Sequence, residues 1–107
     1  VKASHLEKQF ALYWRAIQGP ALQPEFRFCP GRRWRFDFAH ESSKVGIEIE
    51  GGVWTGGRHT RGSGYIADCE KYNQAALQGW AVIRLTRCMI DVKTLETIAV
   101  FIEKRTP

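Results

Sequence analysis

Three carboxylates stand in runs that otherwise read as β-strand: Asp37 between Phe36 and Phe38 in RFDF, and Glu48 and Glu50 interleaved with Ile47 and Ile49 in KVGIEIE. Successive side chains of a strand point to opposite faces, so Glu48 and Glu50 share one face while Val45, Ile47 and Ile49 share the other. If the strand carrying Asp37 pairs with KVGIEIE, Asp37 and Glu48 become neighbours on the polar face, with Glu50 one step further along. Two carboxylates about 4 Å apart repel by roughly 4 kcal/mol at an intermediate dielectric, so the cluster needs a cation or a shared proton. Mg²⁺ meets that need: it prefers oxygen ligands, takes one or two carboxylates and completes its shell with water and substrate phosphate. Such an ion activates water and neutralises the charge developing on a phosphate under attack. The plainer alternative is pairing with local arginines, since Arg35 lies two residues before Asp37 on the same face. Three acids on one face, followed by Gly51-Gly52 and a basic glycine-rich loop, favour the metal. A glycosidase also uses two carboxylates, but it needs a cleft that a basic chain of this size is poorly suited to build.

The elements that must position these acids are legible in the spacing of apolar residues. Over residues 4–17, Leu6, Phe10, Tyr13, Trp14 and Ile17 recur every three or four positions, the stripe of an amphipathic helix. Ser4 with Glu7 fits a capping box, and Gly19-Pro20 supplies the stop. Residues 25–40 alternate aromatic and charged around a Pro30-Gly31 turn, which predicts a hairpin with one packed and one polar face. Residues 51–64, GGVWTGGRHTRGSG, hold six glycines and no acid and predict an irregular loop whose basic groups are available to a ligand. A second helix is expected over 65–78, with Ile66, Cys69, Asn73, Ala76 and Leu77 on one face, Asp68, Lys71 and Tyr72 beside it, and Gly79 ending it. WAVIRLT, 80–86, reads as a short strand, apolar enough for the centre of a sheet. Residues 92–104 predict a third helix with Val92, Leu95, Ile98, Ala99 and Ile102 inward. The expected order is α, β, β, β, α, β, α.

The 107 residues, with thirteen aromatic side chains, suffice for one domain over 1–107. No stretch approaches the roughly 18 to 20 apolar residues of a membrane span, and VKASHLEKQF lacks the apolar run of a signal peptide. The expectation is a soluble, cytoplasmic protein with no membrane partner. A start at Val1 leaves room for a longer N-terminal segment or a fused domain. Cys29, Cys69 and Cys88 are odd in number and widely spaced, which predicts small buried side chains in a reducing compartment rather than a zinc site or disulfides. Sixteen Lys and Arg against eleven Asp and Glu give a net charge of +5. Arg27, Arg32, Arg33 and Arg35 crowd into nine residues, either a solvated face or the footprint of a polyanionic partner.

Asp37 followed by Glu48-Ile49-Glu50, set in an αβββαβ order, resembles the PD-(D/E)xK nuclease superfamily. RFDF, EIEGG, His59, Tyr65, Asp68 and GWAVIRLT are similar to small phage and bacterial proteins related to the very-short-patch-repair endonucleases, over nearly the whole chain. The resemblance implies an α/β, restriction-endonuclease-like αβββαβ core, a central mixed four-stranded sheet flanked by helices, with an extra C-terminal helix. It further implies a phage- or prophage-encoded endonuclease acting in a bacterial host and hydrolysing DNA phosphodiester bonds by metal-activated water. Asp37 and Glu48 would ligate Mg²⁺ or Mn²⁺, with the Ile49 carbonyl as third ligand, and Glu7 would match an acid that binds metal directly or through water from the first helix.

The chain departs from the motif at residue 50, where glutamate replaces the usual lysine. His59 from the loop and Lys71 from the second helix are equal candidates for the vacated cationic role, and Glu50 is a candidate metal ligand or water-orienting base. Each has a plainer reading: His59 as a phosphate contact, Lys71 as the partner of Asp68, Glu7 as a cap. Arg32, Arg33, Arg58 and Arg61 are candidate phosphate contacts, and Trp54 a residue that wedges or stacks. With no helix-turn-helix or zinc finger to read bases, selectivity is expected for duplex, nicked or branched structure. The alternative is a binding module on the same fold that has lost hydrolysis. A homodimer and a helper domain are both compatible with so small a chain.

Overall fold

The computed structural model describes residues 4–51 and 62–107. The capping box forms: Ser4 Oγ accepts from the Glu7 N–H at 3.1 Å, and Glu7 Oε1 accepts from the Ser4 N–H at 2.6 Å. Helix α1 runs from there over His5–Ala16 and buries Leu6, Phe10 and Trp14. It stops where Trp14 Nε1 donates to the Pro20 carbonyl at 2.7 Å.

The hairpin forms with short strands, β1 Gln23–Phe26 and β2 Phe36–His40, paired antiparallel with Phe26 opposite Phe36. Between them the chain turns at Pro30-Gly31, where the Arg32 N–H donates to the Cys29 carbonyl at 3.2 Å and Gly31 has φ +83°. A tight turn leads into β3, Val45–Glu50, antiparallel to β2. Helix α2, Gly62–Leu77, crosses to β4, Ala81–Thr86, which lies parallel to β3. A 3₁₀ turn at Arg87–Met89 precedes α3, Val92–Arg105, capped by Asp91, whose Oδ1 accepts from the Thr94 N–H at 2.8 Å. The protein is α/β: three helices and a mixed four-stranded sheet ordered β1-β2-β3-β4.

Helices α1 and α3 cover one face of the sheet, burying Leu6, Phe10, Trp14, Leu95, Ile98 and Ile102 against Val45, Ile47 and Leu85. Each such side chain contributes about 1.5–3 kcal/mol when fully buried. Helix α2 covers the other face, where Phe28, Phe36, Ala39, Ala75 and Trp80 form a second cluster. Gly46 makes that cluster possible, because a Cβ there would stand 2.5 Å from the Phe36 ring.

Several expectations are corrected. The face read as polar is a second packed face, since a helix lies on each side of the sheet. Phe36 and Phe38 separate, Phe36 stacking on Phe28 with ring centres 4.3 Å apart and Phe38 lying 4.8 Å from Phe10. Strand β4 is at the edge of the described sheet rather than its centre; its apolar run reflects cover on both faces. Helix α2 starts at Gly62, inside the stretch read as loop, and turns a different side inward: Ala75 is buried and Lys71 and Tyr72 are half-buried, while Ile66, Cys69, Ala76 and Leu77 are exposed. Val92 of α3 is also exposed. Cys69 and Cys88 are exposed and so are not core side chains, whereas Cys29 is half-buried and packs against the second cluster.

Candidate active site

Strands β2 and β3 part at Asp37. Their paired residues run from His40↔Val45 to Phe38↔Ile47, and beyond that the Ile49 N–H donates instead to Asp37 Oδ2 at 2.7 Å. The break in alternation between Phe36 and Phe38 turns the Asp37 carboxyl toward the β3 backbone, where Glu7 of α1 and Glu48 of β3 both act on it. Burial pushes Asp37 up to about 7, helped by the hydrogen bond and charge of Glu7 and the charge of Glu48, and opposed by the Ile49 N–H. Glu7 is also raised by burial, but the Ser4 backbone N–H, Asp37, the Ser4 hydroxyl and Arg35 outweigh this and hold it below its usual range. The two neighbouring carboxyls are thus shifted in opposite directions, Asp37 up and Glu7 down.

Glu48 is one of two buried polar residues among those described, 7% exposed. Its Oε2 accepts from Lys71 Nζ at 2.8 Å and its Oε1 from the Tyr72 hydroxyl. Both donors come from α2. Burial, the hydrogen bond to Glu48 and the charge of Glu48 all hold the Tyr72 phenol protonated well above its ordinary range. Glu50 is paired with Arg84, whose Nε and Nη2 donate at 3.2 and 3.3 Å. This hydrogen bond raises Arg84, and the guanidinium lies 4.8 Å from the centre of the Tyr72 ring.

The structure thus brings together Glu7, Asp37, Glu48, Ile49, Glu50 and Lys71. Arg32 and Arg33 lie apart on the β1–β2 connection, Arg32 over the Trp34 ring at 3.6 Å and 3.9 Å from Glu70, and Arg33 exposed. Arg35 pairs with Glu25 at 3.4 Å. Trp54, Arg58, His59 and Arg61 lie outside the described residues. Sequence reasoning missed the roles of Tyr72 and Arg84. Arg84 carried a usable signal, being the one charge in the apolar run WAVIRLT; Tyr72 carried none, because its role depends on which side of α2 turns inward.

Among the described residues no group of three His, Cys, Asp or Glu side chains stands ready to hold a metal. The carboxylate oxygens of Asp37, Glu7 and Glu48 are donors of the kind a hard divalent cation takes. Glu48, with about four lone-pair sites, has capacity beyond its two hydrogen bonds. Two carboxylates with water are a usual Mg²⁺ shell. No helix among the described residues is long and apolar enough to cross a membrane. No family model, curated protein or solved structure matches the chain.

Proposed function

We infer that the chain is a Mg²⁺- or Mn²⁺-dependent DNA endonuclease of the PD-(D/E)xK type on a restriction-endonuclease-like core, phage encoded, selective for DNA structure rather than a long sequence. The observation that carries this reading is the convergence of Asp37 and Glu48 beside the cation of Lys71, 2.8 Å from Glu48. Lysine is absent from position 50, and Lys71 brings a positive charge to the acids from α2. Asp37, Glu48 and the Ile49 carbonyl would hold the metal, with Glu7 completing the set. When bound, the metal would activate water and offset charge on the phosphate. Tyr72 fixes the Glu48 carboxylate, Lys71 faces the substrate phosphate, and Arg84 keeps Glu50 turned along β4. Arg32 and Arg33 supply phosphate contacts that position DNA without reading it. The test is incubation with Mg²⁺ or Mn²⁺ against linear, single-stranded, nicked, flap and four-way-junction DNA. Cleavage of at least one, lost in Asp37→Asn, is the expected result; no cleavage of any overturns the reading.

A second reading, a DNA-binding module without hydrolysis, is favoured by the internal neutralisation of two acids, Glu48 by Lys71 and Glu50 by Arg84. It requires salt-sensitive binding alone, through counterion release. Calorimetric titration with Mn²⁺ separates the two: a binding signal lost in Asp37→Asn supports the nuclease, and no signal in the wild-type chain supports the module.

A further inference from the structure

Beside the acids, α2 and β4 frame a cleft of about 340 Å³ lined by Tyr65, Asp68, Cys69, Tyr72, Asn73 and Arg84. That volume lies within the roughly 300–1,000 Å³ of small-molecule sites. Spacings of three, four and seven put Tyr65, Asp68, Cys69 and Tyr72 on one side of the helix. Tyr65 and Tyr72 are about 10 Å apart along the axis, room for a base and its sugar.

The lining has the chemistry of a nucleobase site. Tyr65 is 59% exposed, a large ring left in water at the mouth of the cleft, and every base has a face that stacks on such a ring. The Arg84 guanidinium over the Tyr72 ring makes a second flat surface. Asn73 adds an acceptor and donors suited to the edge of a base. The cleft also adjoins the acids, since Tyr72 holds Glu48 and Arg84 holds Glu50.

We propose that this cleft takes one unpaired nucleobase next to the phosphodiester held at Asp37 and Glu48. The proposal rests on the nuclease reading and narrows its substrate. A base stacked and paired in a duplex presents neither its face nor its edge, and extracting it costs a few kcal/mol, least where it is already mismatched or single-stranded. The preferred substrates are therefore those with an unpaired nucleotide at the cut: flaps, branches and mismatches rather than intact duplex.

The test uses the full chain in EDTA, so that cleavage plays no part, and duplex oligonucleotides carrying 2-aminopurine either fully paired or unpaired at a single position. The expected result is quenching of the unpaired probe on binding. Tyr65→Ala should weaken binding of that duplex about tenfold, in line with base–aromatic stacking, and leave the paired duplex nearly unchanged. Tyr65→Phe, which keeps the ring, should bind as the wild type does. Binding without quenching, a Tyr65→Ala loss equal for both duplexes, or a Tyr65→Phe loss as large as that of Ala overturns the subsite while leaving the nuclease reading intact. Binding of neither duplex overturns both.

Discussion

Lys71 Nζ stands 2.8 Å from Glu48 Oε2, joining α2 to β3 through an ion pair whose lysine side chain is 16% and whose glutamate side chain is 9% exposed. Two residues along β3, Glu50 occupies the position where the resembled motif carries lysine, and it pairs with Arg84 instead. The cation at the acid cluster thus comes from a helix rather than from the strand. A charge so placed neutralises Glu48 and leaves position 50 free to tie β3 to β4.

Removing one member of a buried pair strands the other, a loss of about 3–5 kcal/mol. Lys71→Met is expected near the low end of that range, because the lysine keeps some contact with solvent. The double variant Lys71→Met/Glu48→Gln should recover much of the loss. Urea denaturation of the two single variants and the double one measures the coupling, and additive losses would show that the pair contributes nothing of its own.

Asp37 sets a pH dependence. Its carboxyl is pushed up to about 7 from an ordinary 3.8, first by burial and then by Glu7 and Glu48. The folded chain keeps a proton that the unfolded chain releases above about pH 4. The stability this proton contributes is full below about pH 4, falls as pH rises toward about 7, and is gone above that. Glu7, held below its range, acts in the opposite sense and only in acid. Thermal midpoints of the wild type should therefore fall across this window relative to Asp37→Asn, which lacks this carboxyl. At about pH 8, millimolar Mg²⁺ should raise the wild-type midpoint by binding the folded state and leave Asp37→Asn unmoved. Parallel curves for the two proteins would remove Asp37 as the source.

Tyr72 positions Glu48. Tyr72→Phe deletes one donor to a buried carboxylate and is expected to cost about 1.5–3 kcal/mol, the usual worth of a hydrogen bond to a charged group. Chemical denaturation gives the figure. An unchanged midpoint would mean that the hydroxyl does not hold the acid.

Gly46 lies against the Phe36 ring with no room for a methyl group. Gly46→Ala must displace a fully buried ring, and overpacking of this kind costs about 1–3 kcal/mol. Thermal unfolding should show the loss, and Gly46→Ala/Phe36→Leu should recover part of it.

The element order was legible because period and capping are local properties: Ser4 with Glu7 starts α1 as its sequence implies, and KVGIEIE is a strand with Val45, Ile47 and Ile49 against α1 and α3. Which side of α2 turns inward was not legible. Its apolar residues suggested Ile66 and Leu77, yet the helix presents Lys71 and Tyr72 because the buried charge of Glu48 needs partners, a demand arising from another element. The parting of β2 from β3 was hidden for the same reason, since only the Asp37–Ile49 hydrogen bond reveals that alternation breaks between two phenylalanines. The pairing of Glu50 with Arg84 likewise depends on β4 lying parallel to β3, which no local pattern encodes.

The most direct test of the central claim is Mg²⁺-dependent cleavage of branched or flap DNA by the wild type, Asp37→Asn and Glu48→Gln, each first shown to be folded and to bind DNA in EDTA. The wild type is expected to cut, and the two variants to bind with little change and cut at least a hundredfold more slowly, in keeping with the several kcal/mol an ion contributes to a developing charge. Cleavage by both variants at the wild-type rate would contradict the account.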